Sequence, residues 1–194
     1  MEDRSLFPKH HASRLNDTRR LYDQVSEQDL ARLLDLRGAE DIADLGSGTG
    51  FYTDRVAALT TGTVYALEIQ PELSVAYRER GVPANVRLVL GDMTALSLPP
   101  GSIDVACTIA TWHEIGGRLD LPGLLEVLRP QGRLIVIDWR RDPDSWENGP
   151  PMDLRSTKEE VAAGLAPHFA EVSAENLGRF MFAVVARREA QVAE

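Results

Sequence analysis

Between residues 41 and 139 the chain alternates five short apolar runs with stretches long enough for a helix. The runs are DIADL (41–45), TVYALE (63–68), VRLVLGD (86–92), IDVACTIAT (103–111) and RLIVIDW (133–139). The fourth is continuous in apolar residues, as a strand covered on both faces should be. Strands separated by helices must be joined by crossovers, which calls for a parallel sheet with right-handed connections. The intervening helices carry matching signals. One runs from the glycine cluster through Val56 and Leu59, and Pro71 suits the first turn of the next. A third spans Leu121 to Leu128 and is stopped by Pro130 and Gly132.

The flanks read differently. Asp17 starts a helix through Tyr22, and Ser26 with Asp29 forms a capping pair for a second helix. That helix turns Leu30, Leu33, Leu34 and Leu36 largely inward and ends at Gly38. After residue 140 comes a polar loop, RDPDSWENGPP, and then a capping box at Ser156 and Glu159 for a helix reaching Ala166. The runs FAEVSAENL (169–177) and RFMFAVVARR (179–188) leave no room for a crossover helix, so they should pair antiparallel. The expected fold class is therefore α/β: a Rossmann-like doubly wound sheet of seven strands, five parallel plus a C-terminal antiparallel hairpin, with helices on both faces. At 194 residues the chain suits one core and hence one domain.

Acidic residues outnumber basic ones by 30 to 21, giving a formal charge of −9. Such a surface repels phosphate backbones and anionic lipid, so no nucleic-acid or membrane partner is expected. The local basic cluster Arg14, Arg19 and Arg20 reads as a solvated helix face. The single cysteine, Cys107, cannot form a disulfide within the chain and reads as a small core residue. The amino terminus is charged from its second residue, unlike a signal peptide, and no apolar stretch is long enough for a membrane span. A cytoplasmic location is expected. His10 and His11 have no Cys or paired carboxylate at ligand spacing, so no metal site is expected.

Asp44-Leu45-Gly46-Ser47-Gly48-Thr49-Gly50 sits between the first strand and its helix. Glycines there permit positive φ and a close ligand approach. A structural turn would use glycine too, but the next strand ends in Glu68, where a carboxylate can grip a ribose diol. The spacing is G-x-G-x-G, not the G-x-G-x-x-G that holds a pyrophosphate on a helix N-terminus. Asp44 would repel a pyrophosphate and welcome the ammonium of a methionine moiety. Charge therefore favours S-adenosylmethionine over NAD. Asp92, ending the third strand, can accept a hydrogen bond from an adenine amino group while the Met93 N–H meets a ring nitrogen. Alternatively, Asp92 caps a turn.

These segments resemble the class I methyltransferases, and among them the small-molecule enzymes of the ubiquinone/menaquinone-methyltransferase type. The likeness lies in DLGSGTG (44–50), YALEIQP (65–71), GDMTALSLPPGSIDVACTIATWHEI (91–115) and LLEVLRPQGRLIVIDW (124–139). It implies that Asp44, Gly46, Ser47, Gly48 and Gly50 hold the methionine portion. Glu68, with Ile69 beside it, would take the ribose side, Asp92 and Met93 the adenine, and Ala110 would line the cofactor. It also implies a helical lid at 1–37, with Tyr22 as a contact, a cofactor-binding core at 38–140 and a C-terminal helix and hairpin at 141–194. Gln131 departs from the resemblance: a glycine is usual there, which puts the geometry of that turn in question.

Methyl transfer from a sulfonium is an in-line displacement, so the protein mainly aligns the reactants. A base is needed only for an acceptor that arrives protonated, as a phenol or alcohol would. His113 is the candidate base, with fixing a loop or contacting the cofactor as its other roles. Trp112 and Trp139 could wall an apolar pocket or pack in the core. The expected partner is a small-molecule methyl acceptor of open identity, and the oligomeric state is open. A dehydrogenase is disfavoured by the loop spacing, and a nucleic-acid amino-methyltransferase by the absence of proline in Ala110-Thr111-Trp112-His113. A non-catalytic protein that binds the cofactor as a partner or sensor is the remaining alternative.

Overall fold

The computed structural model describes residues 15–142, 145 and 149–190. His10, His11, Arg14 and Trp146 lie outside these residues. The five apolar runs become strands β1 (Ile42–Leu45), β2 (Val64–Glu68), β3 (Val86–Leu90), β4 (Ile103–Ile109) and β5 (Leu128–Trp139). The tail adds β6 (Glu171–Leu177) and β7 (Met181–Arg187). They form one sheet in the order β3-β2-β1-β4-β5-β7-β6. β1 to β5 pair parallel, and β7 lies antiparallel to both β5 and β6. The expected mixed sheet of seven strands is borne out.

Alternation along each strand splits the apolar residues between the two faces. Ile42, Val64, Ala66, Cys107, Ile135 and Met181 pack on one face, with α2 (Glu27–Leu34) and α3 (Phe51–Ala58). Ala43, Leu45, Leu67, Ala106, Leu134 and Phe182 pack on the other, with α6 (Leu121–Val127) and α7 (Lys158–Leu165). Two short helices, α1 (Arg20–Asp23) and α5 (Trp112–Ile115), and the longer α4 (Pro71–Arg80) complete the layers. Because the strand order reverses between β1 and β4, a crevice opens at their carboxyl ends. Among the described residues, no helix is long and apolar enough to cross a membrane.

Several boundaries differ from the sequence reading. The first helix is the short α1 and begins at Arg20, because Asp17 instead holds the preceding turn through the Arg19 N–H at 2.9 Å. α2 does start at Ser26, whose hydroxyl accepts from the Asp29 N–H at 3.0 Å. It stops at Asp35 and not Gly38, because Asp35 adopts a left-handed conformation. The later capping box is Thr157 with Glu160, one residue beyond the expected pair. Ser156 is instead drawn into a bridge with Arg140.

Pro130 and Gly132 do not interrupt the chain either. α6 ends at Val127, and β5 runs extended from Leu128, pairing it with Ile103 across an irregular register. Within this stretch Gln131 sits at φ +63°, where a glycine carries no Cβ penalty. Relieving an L-residue of a left-handed conformation outweighs the entropy that glycine loses on folding. Gln131→Gly is accordingly expected to stabilise the chain by about 0.5–1 kcal/mol. Thermal denaturation should show a rise of a few degrees; an unchanged or lower midpoint would count against strain at this turn.

Candidate active site

The loop after β1 is tied down before it meets any ligand. Gly46 and Ser47 both donate to the Leu67 carbonyl, at 2.8 and 2.9 Å. The Gly48 N–H donates to Glu68 Oε2 at 2.8 Å. Gly46, at φ +86°, lies so close to Thr111 that a Cβ there would stand 2.3 Å from its methyl carbon. The loop is thus pressed against the end of β4, and its backbone forms one wall of the crevice.

Asp44, Gly46, Ser47, Gly48, Glu68 and Ala110 all line this one cleft. Asp44 is buried on the face it shares with Cys107 and accepts from the Thr53 hydroxyl at 2.6 Å. Burial pushes its pKa up to about 6, with Glu68 adding to the rise and the Thr53 bond and Arg20 opposing it. Glu68 is also buried and shifted upward by desolvation, against the backbone N–H groups it accepts. Its two oxygens take one each, from Gly48 and Gln70. A carboxylate has about four acceptor positions, so both oxygens retain capacity for a diol. Ala110 holds a left-handed φ of +56° at the end of β4, a conformation that for a non-glycine residue tends to mark functional sites.

The remaining expected contacts lie elsewhere. Ile69 is at the carboxyl end of β2 and 45% exposed. Asp92 accepts from the Thr94 N–H at 2.7 Å, the turn-capping arrangement. Met93 packs its side chain into the opposite apolar cluster, and its carbonyl accepts from Asp120. Gly50 faces away from the cleft: a Cβ on it would lie 2.2 Å from the Tyr77 ring. His113 is buried and directs Nδ1 at Asp138, 2.9 Å from Oδ1. Trp112 and Trp139 are both buried in the apolar clusters.

Two features escaped the sequence reading. Tyr22 is 91% exposed and lies outside the cleft; Arg20 and Leu15 line it instead. The Arg20 guanidinium lies 5.0 Å from the Phe51 ring centroid and 4.7 Å from that of Tyr52. It donates to the Leu15 carbonyl and the Gln24 side chain. Arg19, its neighbour in the basic cluster, is the solvated one and pairs with Asp17. The second feature is Asp138, whose signal was available: it is the lone charge in the apolar run 134–139.

The family model described as a methyltransferase domain matches residues 43–136. Over these residues the chain is similar to the class I S-adenosylmethionine-dependent methyltransferases. Relatives place this one within a broad group. It is 29% identical over 113 residues to the ubiquinone/menaquinone biosynthesis C-methyltransferase UbiE of Ectopseudomonas mendocina, a match covering 55% of this chain and 44% of that one. The match therefore spans less than half the length of that relative. A SAM-dependent methyltransferase from Aquifex aeolicus shares the fold at a TM-score of 0.83 and 24% identity, covering 94% of this chain and 99% of that one. The [4+2]-cyclase SpnF also shares it, at a TM-score of 0.69 and 18% identity, covering 84% and 80%. A class I methyltransferase fold thus does not by itself name the reaction; the side chains of the site must.

Likeness to the S-adenosylmethionine-dependent methyltransferases implies a cation-bearing cofactor, and the cleft fits one. Asp44 and Glu68 put two buried carboxylates around a backbone cradle, with Arg20 the nearby cation. A pyrophosphate would meet both carboxylates unfavourably. Among the described residues, no group of three or more His, Cys, Asp or Glu could hold a metal ion.

Proposed function

We propose that this chain transfers a methyl group from S-adenosylmethionine to a small-molecule acceptor by in-line displacement. The observation that carries the reading is the set of opposed charges around the glycine cradle: Asp44 and Glu68 against Arg20. In this reading Asp44 takes the ammonium of the methionine portion and Arg20 its carboxylate. Glu68 takes the ribose diol on the acceptor capacity its oxygens retain. Gly46, Ser47 and Gly48 supply a close backbone surface. Half-exposed Ile69 offers an apolar face to the flat adenine ring, with Asp92 and the Met93 N–H at its edge. Gly50 serves the cradle indirectly, by letting α3 pack tightly behind it.

The bound cofactor supplies a methyl already activated on a sulfonium, so the chain's task is alignment and exclusion of water. Residues 15–20 serve as part of a lid. The Thr49 hydroxyl donates to Asn16 at 2.9 Å, and the Leu15 side chain stands 3.4 Å from where a Gly48 Cβ would be. Buried, unpaired Cys107 supports a reducing, cytoplasmic setting.

Calorimetry with S-adenosylhomocysteine tests the cofactor half of the reading. Wild type should bind it and should not bind NADH. Glu68→Ala should weaken binding about thirtyfold or more, as expected for losing hydrogen bonds to a charged group. Equal affinity in a folded Glu68→Ala variant would remove the ribose assignment, and NADH binding would overturn the cofactor.

A further inference from the structure

Asp138 is the penultimate residue of β5 and is 1% exposed. Its carboxylate accepts from the Trp139 N–H at 2.6 Å and the His113 N–H at 3.2 Å. Both oxygens also face His113 Nδ1, at 2.9 and 3.2 Å. A buried charge at a strand end costs desolvation that an apolar residue would avoid. The two backbone donors alone would be served by a neutral amide. What a carboxylate adds is control of the imidazole: it holds the proton on Nδ1 and leaves the lone pair on Nε2. Among the described residues Nε2 has no hydrogen-bond partner.

The dyad's residues adjoin in sequence both the cofactor cleft and the loop that follows β5, and His113 itself does not line the cleft. Thr111 and Glu114, on either side of His113 in sequence, line the cleft. On the other side Arg155 stacks over Trp139 at 5.6 Å and donates to the carbonyls of Arg140, Ser145 and Pro150. That clamp secures the start of the 140–155 loop beside the dyad.

We propose that the acceptor is a weakly acidic hydroxyl of the phenol or enol type, that Nε2 of His113 removes its proton, and that Asp138 is the positioning residue. This deepens the methyl-transfer reading and rests on it. A neutral amine attacks without prior deprotonation, whereas a hydroxyl must lose its proton as it attacks; a phenol, with a pKa of about 10, gives it to imidazole far more readily than an aliphatic alcohol does. The hydroxyl proton passes to Nε2, and the oxygen lone pair forms the new O–C bond. The C–S bond breaks with its electron pair going to sulfur, giving a neutral thioether, and the imidazolium then releases its proton to solvent.

The groups facing His113 set its titration. Burial lowers its pKa, Asp138 and Glu114 raise it, and Arg155 lowers it; the net direction is up from 6.5. Arg155 in turn feels Asp142. The rate should therefore climb with pH to a shoulder above 6.5 and then level.

The test compares wild type, His113→Gln and Asp138→Asn, with S-adenosylhomocysteine binding measured first by calorimetry. Turnover is read as S-adenosylhomocysteine release from S-adenosylmethionine with phenol, catechol and 4-nitrophenol. All three proteins should bind S-adenosylhomocysteine within about threefold. His113→Gln should lose at least about a hundredfold in kcat on phenol or catechol, the usual range for a general base. It should lose less than tenfold on 4-nitrophenol at pH 8.5, where that acceptor arrives ionised. Asp138→Asn should lower kcat on the same phenols and move the shoulder to lower pH. Equal loss on both kinds of acceptor in folded His113→Gln would overturn the proposal. So would an unmoved shoulder in Asp138→Asn, or no turnover of any phenol by wild type that binds S-adenosylhomocysteine. Failure of wild type to bind S-adenosylhomocysteine would instead overturn the reading on which the proposal stands.

Discussion

Asp44→Asn should melt at a higher temperature than wild type at pH 7.5 and bind S-adenosylhomocysteine at least about tenfold more weakly. The two effects have one cause. In the absence of ligand Asp44 is buried, and burial raises its pKa from 3.8 to about 6. Below pH 3.8 the carboxyl is protonated in folded and unfolded chains alike, and nothing is lost. Between about pH 3.8 and 6 the unfolded chain has released a proton that the folded chain still holds, so stability falls across that window and levels above it. The shift corresponds to about 3 kcal/mol at pH 7.5. A neutral amide avoids that penalty and can still accept from Thr53. Part of the gain is returned because the Thr53 bond weakens without the charge, so a net increase of about 1–3 kcal/mol is expected. Binding moves the other way, because a cationic ligand is what compensates the buried charge. Losing a charge-assisted bond of about 1.5–3 kcal/mol corresponds to roughly ten- to a hundredfold or more in affinity. Melting curves at pH 5 and 7.5 check the sign: the stability advantage of the variant should shrink at pH 5, where wild-type Asp44 is largely protonated. A variant less stable than wild type at both pH values would show that Asp44 is held by its contacts and not by its ligand.

What the sequence revealed and what it hid follow from how far each contact reaches along the chain. The sheet was legible because each strand is an apolar run, and the closing hairpin because Leu177–Gly178 leaves no length for a crossover. Gly46, Gly48 and Glu68 were legible because one loop and the next strand end make that wall of the cleft. Element ends were less so. Ser156 and Thr157 are equally good caps in isolation, and only the bridge from Arg140 to Ser156 decides between them. Pro130 and Gly132 look like a break and so hide the start of β5 at Leu128, although the strand tolerates both. Arg20 was hidden in a basic cluster that resembles a solvated face, since its partners Phe51 and Tyr52 lie more than thirty residues away. Asp138 and His113 are 25 residues apart, on elements that meet only because β4 and β5 are neighbours in the sheet.

Gly50→Ala should be among the most damaging single changes in the glycine loop, and through packing more than through the ligand. Gly50 caps α3 with φ at +83°, and an added Cβ would lie 2.2 to 2.4 Å from three atoms of the Tyr77 ring. Tyr77 cannot withdraw easily. It is fully buried, its hydroxyl donates to Asp54 at 2.7 Å, and Arg80 covers the ring at 5.0 Å while pairing with the same Asp54. Arg80 also donates to the Thr49 carbonyl, so displacing the ring would pull on the loop itself. A left-handed alanine costs about 1–2 kcal/mol and overpacking a further 1–3, giving about 2–5 kcal/mol in all and a fall of roughly 10 °C in melting temperature. Gly178→Ala is the control, because it shares a positive φ of +51° but has no atom within 4 Å of the added Cβ. It should show the backbone cost alone. If the two variants melt together, the close approach of Gly50 to Tyr77 is not what fixes the loop. If Gly50→Ala falls well below Gly178→Ala, the loop glycines divide their work: Gly46 and Gly48 face the cleft, while Gly50 lets the helix behind them close against Tyr77.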